Sequence, residues 1–290
     1  MALRGVNVLT KARYADVTKY CDLLSRLEAD GGLPPRLGDN SNGNSLDTAS
    51  PTAAWTNNSM DQIEFDRFAD EYHDQHRENV AVTGEAPEYF AEYKIKKLRQ
   101  AVDGDRVGAS HICDFGSGIG NSIPFFRRHF PEASLTSCDV SERSLALSDQ
   151  RYPNSTNYLL IENNRIPSGP DAFDVVFSAC VFHHIRHEQH AMWLRELHRI
   201  TKSGGLIAIF EHNPLNPLTV RAVNTCPFDV NAKLIFARDL ARSLVGTGWV
   251  LPRIRYNLFF PRRLARLRPL EDKLHWLPLG AQYVALARKA

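Results

Sequence analysis

The rhythm of apolar positions changes three times along the 290 residues. Val17, Tyr20, Leu23, Leu24 and Leu27 recur at near-helical spacing, which predicts an amphipathic helix within residues 1–30. Residues 31–60 are rich in Gly, Pro, Ser, Asn and Thr, with too little apolar surface to offset the entropy of ordering, and read as a flexible linker. Residues 1–60 are therefore expected to be a partly flexible appendage, and residues 61–290 the folded domain. Helices are predicted at 61–75, with Phe65, Phe68, Ala69 and Tyr72 on one face, and at 87–103. From residue 111, runs rich in Val, Ile, Leu and Phe alternate with amphipathic stretches. Strands are predicted at 111–115, 134–138, 157–161, 173–178 and 205–211, and helices at 121–130, 142–150, 188–202 and 231–246. Nearly continuous apolar strands alternating with helices imply a Rossmann-like α/β fold, a doubly wound, mostly parallel sheet covered on both faces. Residues 249–258 and 281–288 are also strand-like, with no long helix between them, so an antiparallel C-terminal strand hairpin is expected at the sheet edge.

Composition narrows the class only a little. The chain is 43% hydrophobic and 23% charged, ordinary for a globular protein, and its formal net charge of +2 makes no general case for nucleic acid. Its hydrophobic runs are short, so no membrane span is expected. The first residues lack a signal peptide's apolar centre, and a cytoplasmic location is expected. Five scattered cysteines with no C-x-x-C pair read as reduced thiols. His183-x-x-x-His187 has helix-face spacing but lacks the Glu of a zincin motif, so no metal site is expected.

The chemistry concentrates where the first core strand ends. Ile112–Phe115 leads into Gly116, Gly118 and Gly120, with Ser117 among them, and an amphipathic stretch begins at Ser122. This strand, tight turn and helix start let a ligand lie directly on backbone, although a plain tight turn has the same look. The second strand ends at Asp139-Val140, where a carboxylate can accept both hydroxyls of a ribose, or Asp139 or Ser141 can cap the following helix. After the third strand, Glu162 and Asn163 can read an adenine edge or lie in a solvated loop. A dinucleotide site would need G-x-G-x-x-G, but the last glycine would fall at Asn121, and the spacing is G-x-G-x-G behind the acid Asp114. A phosphate gains nothing from that acid, whereas an ammonium or sulfonium does. No P-loop sequence is present.

The ordered series DFGSGIG, CDVS, FDVVFSACVFHHI and SGGLIAIFEHN resembles the motifs of class I S-adenosylmethionine-dependent methyltransferases, over residues 61–290 and most tightly over 111–213. The resemblance implies S-adenosylmethionine as cofactor, with Asp114, Gly116, Ser117, Gly118 and Gly120 against its methionine part. It also implies Asp139 and Val140 at the ribose, Glu162 and Asn163 around adenine, and Ser178 and Ala179 along the far side of the pocket. Tyr72 lies on a helix that in relatives closes over the cofactor. The chain departs from the family at the adenine loop, where Glu162-Asn163 stands in place of the common Asp-Ala. It also lacks the Asn-Pro-Pro-aromatic motif of enzymes that methylate adenine in DNA.

A sulfonium makes its methyl group electrophilic by itself, so a protein needs to align the nucleophile and, for an alcohol or phenol, supply a base. His183 and His184 after the fourth strand, and Glu211 and His212 after the fifth, are the candidates for base or acceptor contact; each can equally be structural. The expected function is methyl transfer to an oxygen or nitrogen of a small or carrier-linked metabolite. The alternative is a protein of this fold that binds the cofactor without methylating, as a regulator or catalyst of a different reaction. Arg253, Arg255, Arg262, Arg263, Arg266 and Arg268, interleaved with Tyr256, Phe259 and Phe260, form a basic aromatic stretch. It suits an anionic substrate, a membrane surface or, less readily, RNA, or arginines paired to distant carboxylates. Arg262–Leu270 and the following LHWLPLG suggest an apolar-basic lid.

Overall fold

The computed structural model describes residues 84–226 and 231–290, all within the compact unit Trp55–Ala290. The expected appendage, the helix at 61–75 and its Tyr72 lie outside the described residues.

Seven strands form one sheet in the order β3-β2-β1-β4-β5-β7-β6. They are β1 (His111–Phe115), β2 (Ser134–Asp139), β3 (Asn157–Leu160), β4 (Phe173–Ala179), β5 (Thr201–His212), β6 (Trp249–Asn257) and β7 (Gln282–Lys289). The first five pair in parallel. β7 runs antiparallel to both β5 and β6, which is the edge hairpin that the pattern predicts. Pro252 sits on β6, an edge strand, where its missing N–H costs no ladder bond; a bulge between Val250 and Arg253 takes up the irregularity.

Two apolar layers sandwich the sheet. On one side α1 (Pro87–Asp105) and α2 (Ile123–His129) bring Ile95, Leu98 and Phe126 onto Ile112, Val175 and Phe210. On the other, α4 (His187–Ile200) and α6 (Ala237–Gly246) bring Trp193, Leu197 and Leu240 onto Phe115, Val176 and Ile207. α3 (Glu142–Arg151) packs on β2 and β3, and its N-cap is Ser141, whose hydroxyl accepts from the Ser144 amide.

Several element boundaries differ from the sequence expectation. The helix expected at 231–246 begins only at Ala237, because the Tyr283 hydroxyl donates to the Ile235 carbonyl and Ile235 is buried among sheet residues. The helix expected to reach 202 ends at Ile200, and β5 starts at Thr201. Pro214 lies in a turn closed by Asn216 N donating to Asn213 O, and Pro217 begins a helix that the sequence pattern does not predict, α5 (Pro217–Asn224). Pro217 occupies the first turn, where its missing N–H is harmless, and the Asn216 side chain caps Leu218 N and Thr219 N.

Candidate active site at the carboxyl rim of the sheet

The chain leaves β1 for β2 on one side and returns to β4 on the other, so strand order reverses between β1 and β4. A crevice beyond the carboxyl ends of the strands is expected there. The site candidates collect at this place. Asp114 and Ser178 are the penultimate residues of β1 and β4, in adjacent register rows. Asp114 is 3% exposed, and its Oδ2 has no partner. Burial first, and the neighbouring charge of Asp139 second, push its carboxyl up to about 7. Ser117 Oγ and Ser178 Oγ are also buried without a partner. Buried polar atoms in native proteins are ordinarily hydrogen-bonded, so three such oxygens at one switch point are ligand-facing candidates.

The loop's own donors are already spent. Gly116 N and Ser117 N donate to the Cys138 carbonyl at 2.8 and 3.2 Å, Gly120 N donates to Ser117 O, and Gly118 N donates to Asp139 Oδ2 at 2.8 Å. Such a loop has few amides to offer a pyrophosphate. Gly118 has φ +51, and a side chain there would meet nothing within 4 Å, so this glycine faces open space. Gly120 differs: an added methyl would run into Ser148 and Ile123.

Asp139 also accepts from Ser141 N at 2.9 Å, so its carboxylate clamps the glycine loop to the start of α3. It is therefore not the helix cap; Ser141 is. A carboxylate offers roughly four lone-pair positions, so two amide bonds leave capacity to accept from ribose hydroxyls. Val140 and Ala179 are half-buried beside these groups. Glu162 and Asn163 are exposed in a tight hairpin turn, closed by Arg165 N donating to Glu162 O at 2.9 Å. Asn163 and Asn164 both have positive φ, which explains two consecutive asparagines.

The four catalytic candidates form one cluster. His183 Nδ1 lies 2.6 Å from Glu211 Oε2, and both side chains are 1% exposed. Glu211 Oε1 accepts from Val181 N and Phe182 N. Burial alone would raise the Glu211 carboxyl, but His183, His212 and the Phe182 amide hold it below its ordinary value. Glu211 is thus a brace that orients His183 and the turn after β4, rather than an open carboxylate at the rim. The His183 ring sits 4.2 Å from that of His184 and 5.2 Å from that of His212, and both of these are half-buried.

Sequence reasoning missed three further polar groups at this rim. Cys180, one of the residues read as a buried thiol, has φ +59 immediately after β4. Burial would raise its thiol, but Lys94 of α1 and His212 bring it down to about 7. Gln282 donates to Cys180 Sγ at 3.7 Å while its own buried Oε1 has no partner. The antiparallel register places Gln282 opposite His212, a pairing that no local sequence signal announces. Among the described residues, no group of three His, Cys, Asp or Glu is placed to hold a metal ion.

The basic stretch divides in two. Arg253 forms a bidentate pair with Asp105, Arg262 donates to Gly84 O, and Arg268 pairs with Glu85. Arg255, Arg263 and Arg266 are exposed.

A buried carboxylate with an unmet oxygen, a second carboxylate on the next strand and an open glycine between them fit a ligand that is cationic at one end and carries a ribose. Residues 113–209 match the model of the methyltransferase domain family. Over 131 residues the chain is 30% identical to the demethylmenaquinone methyltransferase of Chlorobaculum parvum, covering 45% of this chain and 52% of that protein. Over 137 residues it is 26% identical to the malonyl-[acyl-carrier protein] O-methyltransferase of Herminiimonas arsenicoxydans, covering 46% and 50%. The chain spans about half the length of these curated relatives. A solved S-adenosylmethionine-dependent methyltransferase from Thermotoga maritima superposes with a TM-score of 0.55 at 18% identity, over 79% of this chain and all of that one, and shares the fold. The fold is that of a Rossmann-like methyltransferase domain. Residues 113–209 and the fold around them are similar to the class I S-adenosylmethionine-dependent methyltransferases, whose cofactor is S-adenosylmethionine. Among the described residues no helix is long and apolar enough to cross a membrane.

Proposed function

We propose that the protein transfers a methyl group from S-adenosylmethionine to an oxygen or nitrogen of a small or carrier-linked metabolite. The observation that carries this reading is Asp114: a buried carboxylate with an unmet oxygen, at the switch point, beside a glycine that faces open space. The names of the curated relatives, one acting on a carrier-linked acid and one on a demethylmenaquinone, support the acceptor class.

When bound, the cofactor supplies an electrophilic methyl group on a sulfonium. Asp114 would hold the cationic methionine end, and Asp139 would accept from the ribose. The turn at Glu162 and Asn163 would border the adenine, with Ser178 and Ala179 along the opposite wall. Glu211 keeps His183 and the turn after β4 in place through three contacts. His212, half-buried at the rim, would take a proton from an acceptor hydroxyl; His184 is the other half-buried imidazole of the cluster. An amine acceptor needs no such base.

Calorimetric titration with S-adenosylmethionine and S-adenosylhomocysteine tests the first half of this reading. Transfer of a labelled methyl group to acyl-carrier-linked acids, free dicarboxylic acids and hydroquinones tests the second. Binding of neither cofactor form overturns the proposal. Binding without transfer to any acceptor favours the non-methylating alternative.

A further inference from the structure

The segment between β6 and β7 leaves and rejoins the sheet at Asn257 and Gln282, which pair with each other next to His212. It therefore projects from the same rim as the candidate site. Arg262–Leu270 is a 3-10 stretch with a kink at Leu264. Side chains three apart lie nearly above one another in such a helix, so it has three distinct faces. One face is pinned to the body: Arg262 donates to Gly84 O, and Arg268 pairs with Glu85 at 2.6 Å with its guanidinium 4.5 Å from the Tyr89 ring centre. Just beyond, buried Glu271 accepts from Tyr93 Oη and from the Phe259 and Phe260 amides, and Lys97 pairs with Asp272. The strap is thus held firmly, and its nearby acids are engaged with partners in the body.

What it presents outward is apolar and cationic. Leu264, Leu267 and Leu270 are 47%, 39% and 46% exposed, and Trp276 is 67% exposed. Arg263, Arg266 and Lys273 flank them, exposed and without an ion pair to any described residue. Leucines and a tryptophan held outward beside cations that pair with no described residue have the composition of an interfacial membrane contact. A second copy of the chain fits poorly, because a two-fold contact through this patch would bring the arginines of both copies together.

We propose that this strap docks the protein onto an anionic phospholipid bilayer, with Leu264, Leu267, Leu270 and Trp276 at the headgroup boundary and Arg263, Arg266 and Lys273 on lipid phosphates. Docking there turns the carboxyl rim of the sheet toward the lipid surface. The inference stands on the strap alone and does not require that methyl transfer be the activity.

The test is sedimentation of the full chain with vesicles of phosphatidylcholine, or of equal parts phosphatidylcholine and phosphatidylglycerol. Binding is expected to the anionic vesicles only, weakening as salt rises. Arg263→Glu with Arg266→Glu should lower that affinity more than about tenfold. Leu267→Ser with Trp276→Ser should also abolish it, while both variants keep the parent's melting temperature and S-adenosylmethionine affinity. Brominated phosphatidylglycerol should quench tryptophan emission in the parent and lose most of that effect in Trp276→Phe. Absence of vesicle binding, binding indifferent to both double variants, or a dimer dispersed by Leu267→Ser would each overturn the proposal. Vesicle binding without S-adenosylmethionine binding would uphold it while removing the proposed activity.

Discussion

Replacing Asp114 with Asn separates what this residue costs the fold from what it gives the site. The Asp114 carboxyl is raised from an ordinary 3.8 to about 7, by burial and then by Asp139. The native protein therefore retains a proton that the unfolded chain releases. The stability tied to this group is fully present below pH 3.8 and is lost as pH climbs through 7. At 1.36 kcal/mol per unit, the burden of Asp114 on the ligand-free protein is about 2 kcal/mol at pH 5 and about 4 kcal/mol at pH 8. Asn is nearly isosteric and removes that burden, at a cost of about 1–3 kcal/mol for an amide without a full set of partners. Asp114→Asn should therefore leave stability at pH 5 near the parent's or slightly below it. At pH 8 the ligand-free variant should be the more stable by about 1–3 kcal/mol, or several degrees in melting temperature.

The binding side has the opposite sign. A cationic ligand favours the ionised carboxylate, so below pH 7 the parent's affinity for S-adenosylmethionine should rise with pH by up to about tenfold per unit, with proton release on binding. Asp114→Asn should bind more weakly at pH 8, and the part of the pH dependence that Asp114 supplies should vanish. Thermal melts from pH 5 to 8, with calorimetry in buffers of different ionisation enthalpy, read both effects. A variant with the parent's pH profile of stability would show that Asp114 is not the titrating group. Unchanged affinity at pH 8 would remove it from the cofactor site.

Gly118→Ala adds a methyl to open space and costs the fold only about 1 kcal/mol through its positive φ, yet it should weaken S-adenosylmethionine binding by more than about tenfold. Gly120→Ala should instead lower the melting temperature sharply because of the clash with Ser148, and equal effects from the two substitutions would refute the distinction. Asp139→Ala strips the acceptor from two backbone amides and should cost about 1–3 kcal/mol of stability per amide as well as cofactor affinity; chemical denaturation and titration measure the two separately. Glu211→Ala leaves His183 and two amides without their acceptor and should destabilise by about 3–5 kcal/mol. Because Glu211 is held below its ordinary 4.5, that loss is full at neutral pH and shrinks as pH falls through its folded value; Glu211→Gln, which keeps an oxygen for the amides, should lose less.

What was legible in the sequence were features enforced within a few residues. The β1–glycine–α2 turn, the acid at the tip of β2 and the alternation of strand and helix all rest on local backbone demands. The edge hairpin of β6 and β7 was legible because nothing helical separates the two strands. What was not legible depends on partners far along the chain. Arg253 and Arg268 looked like part of one basic surface, but their carboxylates, Asp105 and Glu85, lie 148 and 183 residues earlier. Residues 231–236 have helical composition, but Lys233 N donates to the His183 carbonyl and the Tyr283 hydroxyl donates to the Ile235 carbonyl, partners far along the chain that tie the segment to the sheet. No helix was expected at Pro217, since a proline ends a helix as readily as it begins one; the deciding feature is the Asn216 side chain on the amides of the first turn.

The same limit governs the two carboxylates at the heart of the site. Asp114 and Glu211 are both the last residue but one of a central strand, and both are buried, so strand position alone gives them the same reading. Their surroundings separate them. Glu211 faces two amides and two imidazoles, which compensate its charge and hold its proton off. Asp114 faces another anion and has an oxygen without a partner, so it holds its proton up to about pH 7, and a cation favours its ionised form. A buried carboxylate with its full set of donors belongs to the scaffold. One left short of donors, at the place where strand order reverses, is where the fold leaves room for a cationic ligand.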